Sequence, residues 1–346
     1  MIYGRDNREI MEQVRRHPDF KDFVAPISTL NEIRDANFFL RRDGLLAFSE
    51  GYCHPPGKLI GNIIYIPDPV GTKRFFGVPY ASIIKHYGGE EETWVTFKEQ
   101  LKICREIDPS TQSGKPIFAE NKCVFKLDDF LGYIPPLRSL EIVRSRVPQV
   151  DATIREIGAH LGIDHEKIGC TGSMSFGRIG EAHDFDLVFY GEVGVLRGVL
   201  SAIYEIVKDP ARQVFELGML WAIRFYDTAG KMICPFFSYD DPSEIPLLKF
   251  EMELRAGDIE ATVTIGNDDH TGFMPSFLPL SGASSGGESL GENTVLIIYH
   301  GGKRGEYRKG DRVRARGHHV RVRTTRREFD AILVTDMDNT EKLVES

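Results

Sequence analysis

Residues 172–186 read Gly-Ser-Met-Ser-Phe-Gly-Arg-Ile-Gly-Glu-Ala-His-Asp-Phe-Asp. A Gly-Ser turn thus stands eleven residues ahead of Asp184-Phe185-Asp186, which runs straight into Leu187-Val188-Phe189-Tyr190. The apolar run predicts a strand, and successive strand side chains point to opposite faces. Asp184 and Asp186 therefore share one face, and Phe185 and Leu187 the other. With no cation beside them in sequence, the two carboxylates repel each other unless a metal sits between them. Hard oxygen ligands of this kind suit Mg²⁺, which keeps several waters and binds substrate phosphates. The pattern points to metal-assisted phosphoryl or nucleotidyl transfer.

The neighbouring sequence supplies a frame for that strand. Val147, Val150, Ile154, Ile157 and Leu161 recur at helical spacing, and Gly162 is a suitable stop. Ile168–Thr171 reads as a short strand into the Gly-Ser turn. Val195, Leu196, Val199, Leu200 and Ile203 mark a helix after the acidic strand, closed by Asp209-Pro210. Leu217–Tyr226 and Lys231–Tyr239 complete a mixed sheet, with Pro235 implying an edge strand or a bulge.

Pro135-Pro136 marks a boundary, and the texture turns to alternating β after about Phe250. The expectation is three units: residues 1–136, an α+β segment with no nameable catalytic signature; 137–249, the core; and 250–346, a β-rich unit forming a small barrel. Ser281–Gly291 holds four Ser and four Gly, which predicts a flexible loop or linker. Five scattered cysteines without a Cys-x-x-Cys pair argue against a disulfide framework and for a reducing cytoplasm. No stretch approaches the length of a membrane span, so no membrane partner is expected.

Strand, Gly-Ser turn, connector and Asp-x-Asp strand together resemble the nucleotidyltransferase superfamily typified by DNA polymerase beta. The similarity extends to uncharacterised prokaryotic predicted nucleotidyltransferases, whose β-rich tail carries a stretch like Gly310-Asp311-Arg-Val313-Arg-Ala-Arg316-Gly317. The resemblance implies an α+β fold and transfer of a nucleoside monophosphate from an NTP to an acceptor hydroxyl, with pyrophosphate release. It implies Mg²⁺ or Mn²⁺ at Asp184 and Asp186, and phosphates at Gly172 and Ser173, with Arg178 in the connector within reach. The family usually has a third carboxylate on the following core strand. Here Lys231–Tyr239 carries no acid, which leaves Asp240 as the candidate. His183 is more simply a turn residue than a base. Without a third acid, the alternative is a catalytically degenerate fold acting as an RNA-binding or regulatory module.

Net charge is −8. Residues 300–327 nevertheless hold eleven Lys or Arg against Glu306 and Asp311. Arg312–Arg323 alternates on both sides of Gly317-His318. A hairpin turning there sets Arg314 opposite Arg321 and Arg312 opposite Arg323. Like charges across a sheet destabilise it, so such a stack calls for an anion, and RNA is the polyanion favoured. The competing reading is that these arginines pair with the acidic remainder of the chain.

Overall fold

The computed structural model describes residues 7–87, 92–178, 184–291 and 293–343. Two short helices, α1 (Arg8–Arg16) and α2 (Pro18–Phe23), precede an eight-stranded sheet. Its strands β1 (Phe38–Arg41), β2 (Leu46–Ser49) and β3 (Lys58–Pro67) pair antiparallel in sequence order. Helix α3 (Phe97–Ile107) packs on this unit. It opens with a capping box in which Thr96 and Glu99 satisfy each other's backbone N–H groups.

The segment after Pro135 begins with α4 (Pro136–Arg146) and α5 (Pro148–Leu161). The predicted stripe of α5 is buried at Val150, Ile154, Ile157 and Leu161, and Gly162 ends the helix at φ 69°. Strand β4 (Ile168–Cys170) runs antiparallel to β5 (Asp184–Gly191), as register pairs Cys170 with Leu187. Helix α6 (Val193–Ile206) buries Leu196, Val199, Leu200 and Ile203, while Val195 is exposed. Then come β6 (Gln213–Glu216), β7 (Met219–Tyr226) and β8 (Met232–Tyr239).

The five strands are ordered β4-β5-β8-β7-β6. β8 is therefore internal and parallel to β5, not an edge strand. Its ladder with β7 covers only Met232 and Ile233, so no N–H is required on that side at Pro235.

The last unit is a seven-stranded sheet. It contains β9 (Glu251–Ile265), β10 (Ser276–Ser285), β11 (Val295–Ile298), β12 (Arg312–Arg323), β13 (Glu328–Val334) and β14 (Thr340–Leu343). β9 pairs with both β10 and β12. The Ser/Gly segment is not a free linker: β10 runs through it to Ser285, and the chain returns at Glu288–Ser289. Gly286 and Gly287 make the turn with φ of 58° and 88°, the left-handed values a tight hairpin needs.

One hydrophobic cluster joins Met11, Phe38 and Tyr80 of the first unit to Ile154, Phe185, Phe189 and Ile203 of the second. Another joins Ile60 and Phe118 to Phe277, Ile297 and Leu333. The first sheet thus supplies core to both the five-stranded and the seven-stranded sheet. Among the described residues, no helix is long and apolar enough to cross a membrane.

Candidate functional site

The Gly-Ser turn and the acidic strand meet as one site. β4 ends at Cys170, and the Thr171 N–H donates to the Asp186 carbonyl at 2.8 Å. The Thr171 hydroxyl donates to Ala36 O at 2.7 Å, tying the turn to the first unit. Gly172 follows at φ 63°, a left-handed conformation that strains any residue with a Cβ. A Cβ there would lie 1.9 Å from Asp186 Oδ2, inside contact distance. Glycine is required twice over, by backbone angle and by the carboxylate against it.

Residues Gly172–Phe176 form a 3₁₀ turn in which Ser175 Oγ donates to Gly172 O at 2.8 Å. Ser173 is partly buried on it. Phe176 anchors the turn in an aromatic cluster of the first unit, with ring centroids 4.3 Å from Phe75 and 5.0 Å from Phe38. The first unit, without a signature of its own, therefore forms the wall that fixes the turn.

Asp184 and Asp186 lie on one face of β5, both partly buried, with Phe185 and Leu187 in the core behind. Burial pushes the Asp186 carboxyl up to about 7, and the Asp184 charge adds to the rise. Arg224 and a hydrogen bond with Cys234 oppose it, while the Glu216 charge works in the same direction as Asp184. Register pairs Asp186 with Cys234 across β5 and β8. On β7, Phe225, the residue after Arg224, pairs with Ile233, the residue before Cys234. Arg224 Nη1 donates to Glu216 Oε2 at 2.6 Å, and its Cζ lies 3.5 Å from the Trp221 ring centre.

Glu216, Trp221, Arg224 and Cys234 are the site residues that sequence reasoning missed. The available signal was Arg224 itself, a lone charge near the end of an otherwise apolar strand. What could not be seen was that a residue 38 positions after Asp186 would arrive beside it.

Asp240 does not join the site. β8 runs parallel to β5 with Met232 beside Asp184 and Tyr239 beside Gly191, so Asp240 lies beyond the far end. Six residues separate it from Cys234, roughly 20 Å along a strand. There it pairs with Lys167 Nζ at 2.7 Å. Arg178 is partly buried just after the turn, and residues 179–183, including His183, lie outside the described residues.

The basic segment differs from the expected hairpin. Arg312–Arg323 is one continuous strand, and Gly317-His318 is not a turn. Acids on β9 stand opposite three of these arginines: Glu251 opposite Arg323, Glu253 opposite Arg321 and Glu260 opposite Arg316. On the other side Arg321 faces Asp330, Arg323 faces Glu328 and Arg314 faces Glu341. Arg321 Nε donates to Asp330 at 2.8 Å, Arg323 Nε to Glu328 at 2.9 Å and Arg314 Nη1 to Glu341 at 3.1 Å. Arg312 lies opposite Thr264 and Leu343. Opposite charges across the ladder remove the repulsion that the hairpin would have created. Arg314, Arg321 and Arg323 therefore have carboxylate partners of their own.

A cavity of about 510 Å³ lies elsewhere, with Leu217 in its wall. Asn62, Phe97, Lys122, His300 and Asp336 also line it. Lys122 is buried and pairs with Glu50 at 2.5 Å. Burial and the charges of Lys122, Lys303 and Arg304 hold His300 neutral, well below the usual histidine range.

Among the described residues, no three His, Cys, Asp or Glu side chains converge so as to hold a metal ion by themselves. Two neighbouring carboxylates are nevertheless a fit for Mg²⁺. That ion is commonly held by one or two carboxylates together with waters and substrate phosphates, not by an all-protein cage. Comparison with family models, with curated proteins and with solved structures gives no match to this chain.

Proposed function

We propose that the protein is a divalent-cation-dependent nucleotidyltransferase that moves a nucleoside monophosphate from an NTP to an acceptor hydroxyl. The observation that carries this is the packing of Gly172 directly against the Asp186 carboxylate. A turn with its backbone bare of side chain and a pair of carboxylates are thereby brought to one place, as a metal–triphosphate substrate requires. The five-stranded mixed sheet fits a nucleotidyltransferase-like core, and the double pairing of β9 fits a small barrel behind it.

In this reading Asp184 and Asp186 hold Mg²⁺ or Mn²⁺, and Gly172 and Ser173 approach the phosphates. The bound ion would polarise the phosphoryl group and neutralise the leaving pyrophosphate. A bound cation would favour the charged form of Asp186, against the burial and the Asp184 charge that raise its pKa. Thr171 and Phe176 fix the turn, so the Gly172 backbone is positioned before substrate arrives.

Incubation with each α-labelled NTP and Mg²⁺ or Mn²⁺, following pyrophosphate and the label, tests the assignment. Asp184→Asn and Asp186→Asn should each abolish transfer in a folded protein, whereas Asp240→Asn should retain it. Wild-type turnover in either of the first two variants would refute the proposal. A second reading, NTP binding without transfer, is favoured by Cys234 standing where a third acid would be. It predicts NTP binding with no pyrophosphate release under any nucleotide.

A further inference from the structure

Lys122 and His300 are polar side chains held in the interior, at 5% and 7% exposure, and both line the cavity of about 510 Å³. Lys122 immediately precedes the strand Cys123–Lys126, and His300 follows β11 by two residues, so the first and last units meet here. The Lys122 ammonium has three N–H donors, of which Glu50, at 2.5 Å, can take one. Among the described residues the others have no partner. His300 Nδ1 accepts the Gly302 N–H at 3.1 Å, so the neutral ring carries its proton on Nε2, again without a partner among the described residues. Asn62, also in the wall, donates to Glu50 Oε1 at 2.8 Å, and its Oδ1 is buried with no partner among them. Unmade hydrogen bonds at buried groups are costly, and a buried ion pair adds little stability of its own. Packing alone does not account for this wall.

Charge decides what the cavity takes. Glu50 neutralises Lys122, and the exposed Lys98 pairs with Asp338 at 2.7 Å and Asp336 at 3.8 Å. An entering anion would compete with Glu50 and meet both aspartates, whereas a cation would meet Lys122. An uncharged molecule meets neither penalty. Phe97, Leu101, Leu217 and Met337 give it an apolar wall, and the volume suits a small-molecule site. We propose that this cavity binds an uncharged aromatic carboxamide or lactam, whose carbonyl accepts from Lys122 and His300 and whose N–H meets Asn62 Oδ1. The site shares no residue with the acidic strand and does not rest on the nucleotidyl-transfer reading.

Titration of the full chain with 2-naphthamide, 2-naphthoate and 2-naphthylmethylamine, followed by calorimetry and by saturation transfer from protein to ligand, tests this. Naphthamide should bind, and each charged analogue should bind at least about tenfold more weakly. Met337→Trp fills the cavity from a partly buried position and should abolish binding while leaving the polar groups in place. His300→Gln keeps an N–H near the Nε2 position and should bind within about threefold of wild type, whereas His300→Leu should lose about tenfold. Asp186→Asn should bind as wild type does. No binding of naphthamide, equal binding of naphthoate, or wild-type affinity in both Met337→Trp and His300→Leu would each overturn the proposal. Loss of binding in Asp186→Asn would overturn it too, by placing the ligand at the acidic strand.

Discussion

Replacing Gly172 by alanine tests the geometry of the site most directly, because two separable costs fall on one methyl group. The first is backbone: at φ 63° an L-residue sits in the left-handed region, which costs roughly 1–2 kcal/mol. The second is steric: the new Cβ would lie 1.9 Å from Asp186 Oδ2, so the carboxylate or the turn must shift. Forcing extra volume into a packed place costs typically about 1–3 kcal/mol. Together Gly172→Ala should lose roughly 2–5 kcal/mol of stability.

Asp186→Ala removes the clashing atoms and leaves the φ cost in place. A double-mutant cycle by urea unfolding should therefore show the two substitutions coupled by about 1–3 kcal/mol, with the double variant more stable than additivity predicts. Unfolding in these variants must be followed by two probes, since a chain of three units need not unfold in one step. Additivity within roughly 0.5 kcal/mol would show that Gly172 and Asp186 do not press on each other, and the site would come apart. Mn²⁺ binding in Gly172→Ala should fall with the displaced carboxylate.

Two further expectations concern buried charge. Arg304 pairs with Asp35 at 2.6 Å, with side chains 9% and 3% exposed, and burial raises the Asp35 pKa against that pairing. Arg304→Met should destabilise by about 3–5 kcal/mol, because it strands a buried carboxylate. Recovery of most of that loss in Arg304→Met/Asp35→Asn, read by thermal unfolding, checks the cause. His54 accepts the Ile60 N–H at Nδ1 and bonds Gly51 O through Nε2, and burial lowers its pKa from 6.5 to about 4. The unfolded chain binds this proton below pH 6.5 while the folded one refuses it until about 4. Stability is therefore complete above pH 6.5 and falls as pH drops towards 4, by up to about 3 kcal/mol. Urea midpoints of His54→Gln should depend less steeply on pH across that range; an unchanged slope refutes the assignment.

The sequence made the local half of this legible. Period-two alternation placed Asp184 and Asp186 on one face, and helical spacing placed the stripe of α5 against the core. Both follow from positions a few residues apart. Arg224 was not legible, because its place beside Asp186 depends on the order in which β8 and β7 join the sheet. Asp240 was assigned from proximity to the strand, but a parallel pairing carried it to the far end. The basic segment shows the same limit: alternation identified β12 as a strand but could not say whether it folded on itself. Opposing Glu251, Glu253 and Glu260 lie 56 to 72 residues earlier, and they decide the matter. The role of the first unit was also hidden, since Phe176 meets Phe38 and Phe75 only through tertiary packing.

The two shared clusters carry a consequence for the order of synthesis. Ile60 and Phe118 are made long before Leu333, which completes the cluster they enter. A nascent chain must therefore hold an apolar face of its first sheet uncovered until the residues around Leu333 have been made. Long-range closure of this kind slows folding and exposes the intermediate to aggregation. Truncation of the last unit should accordingly harm the first unit more than the middle one, a loss read by the unfolding of the truncated chain.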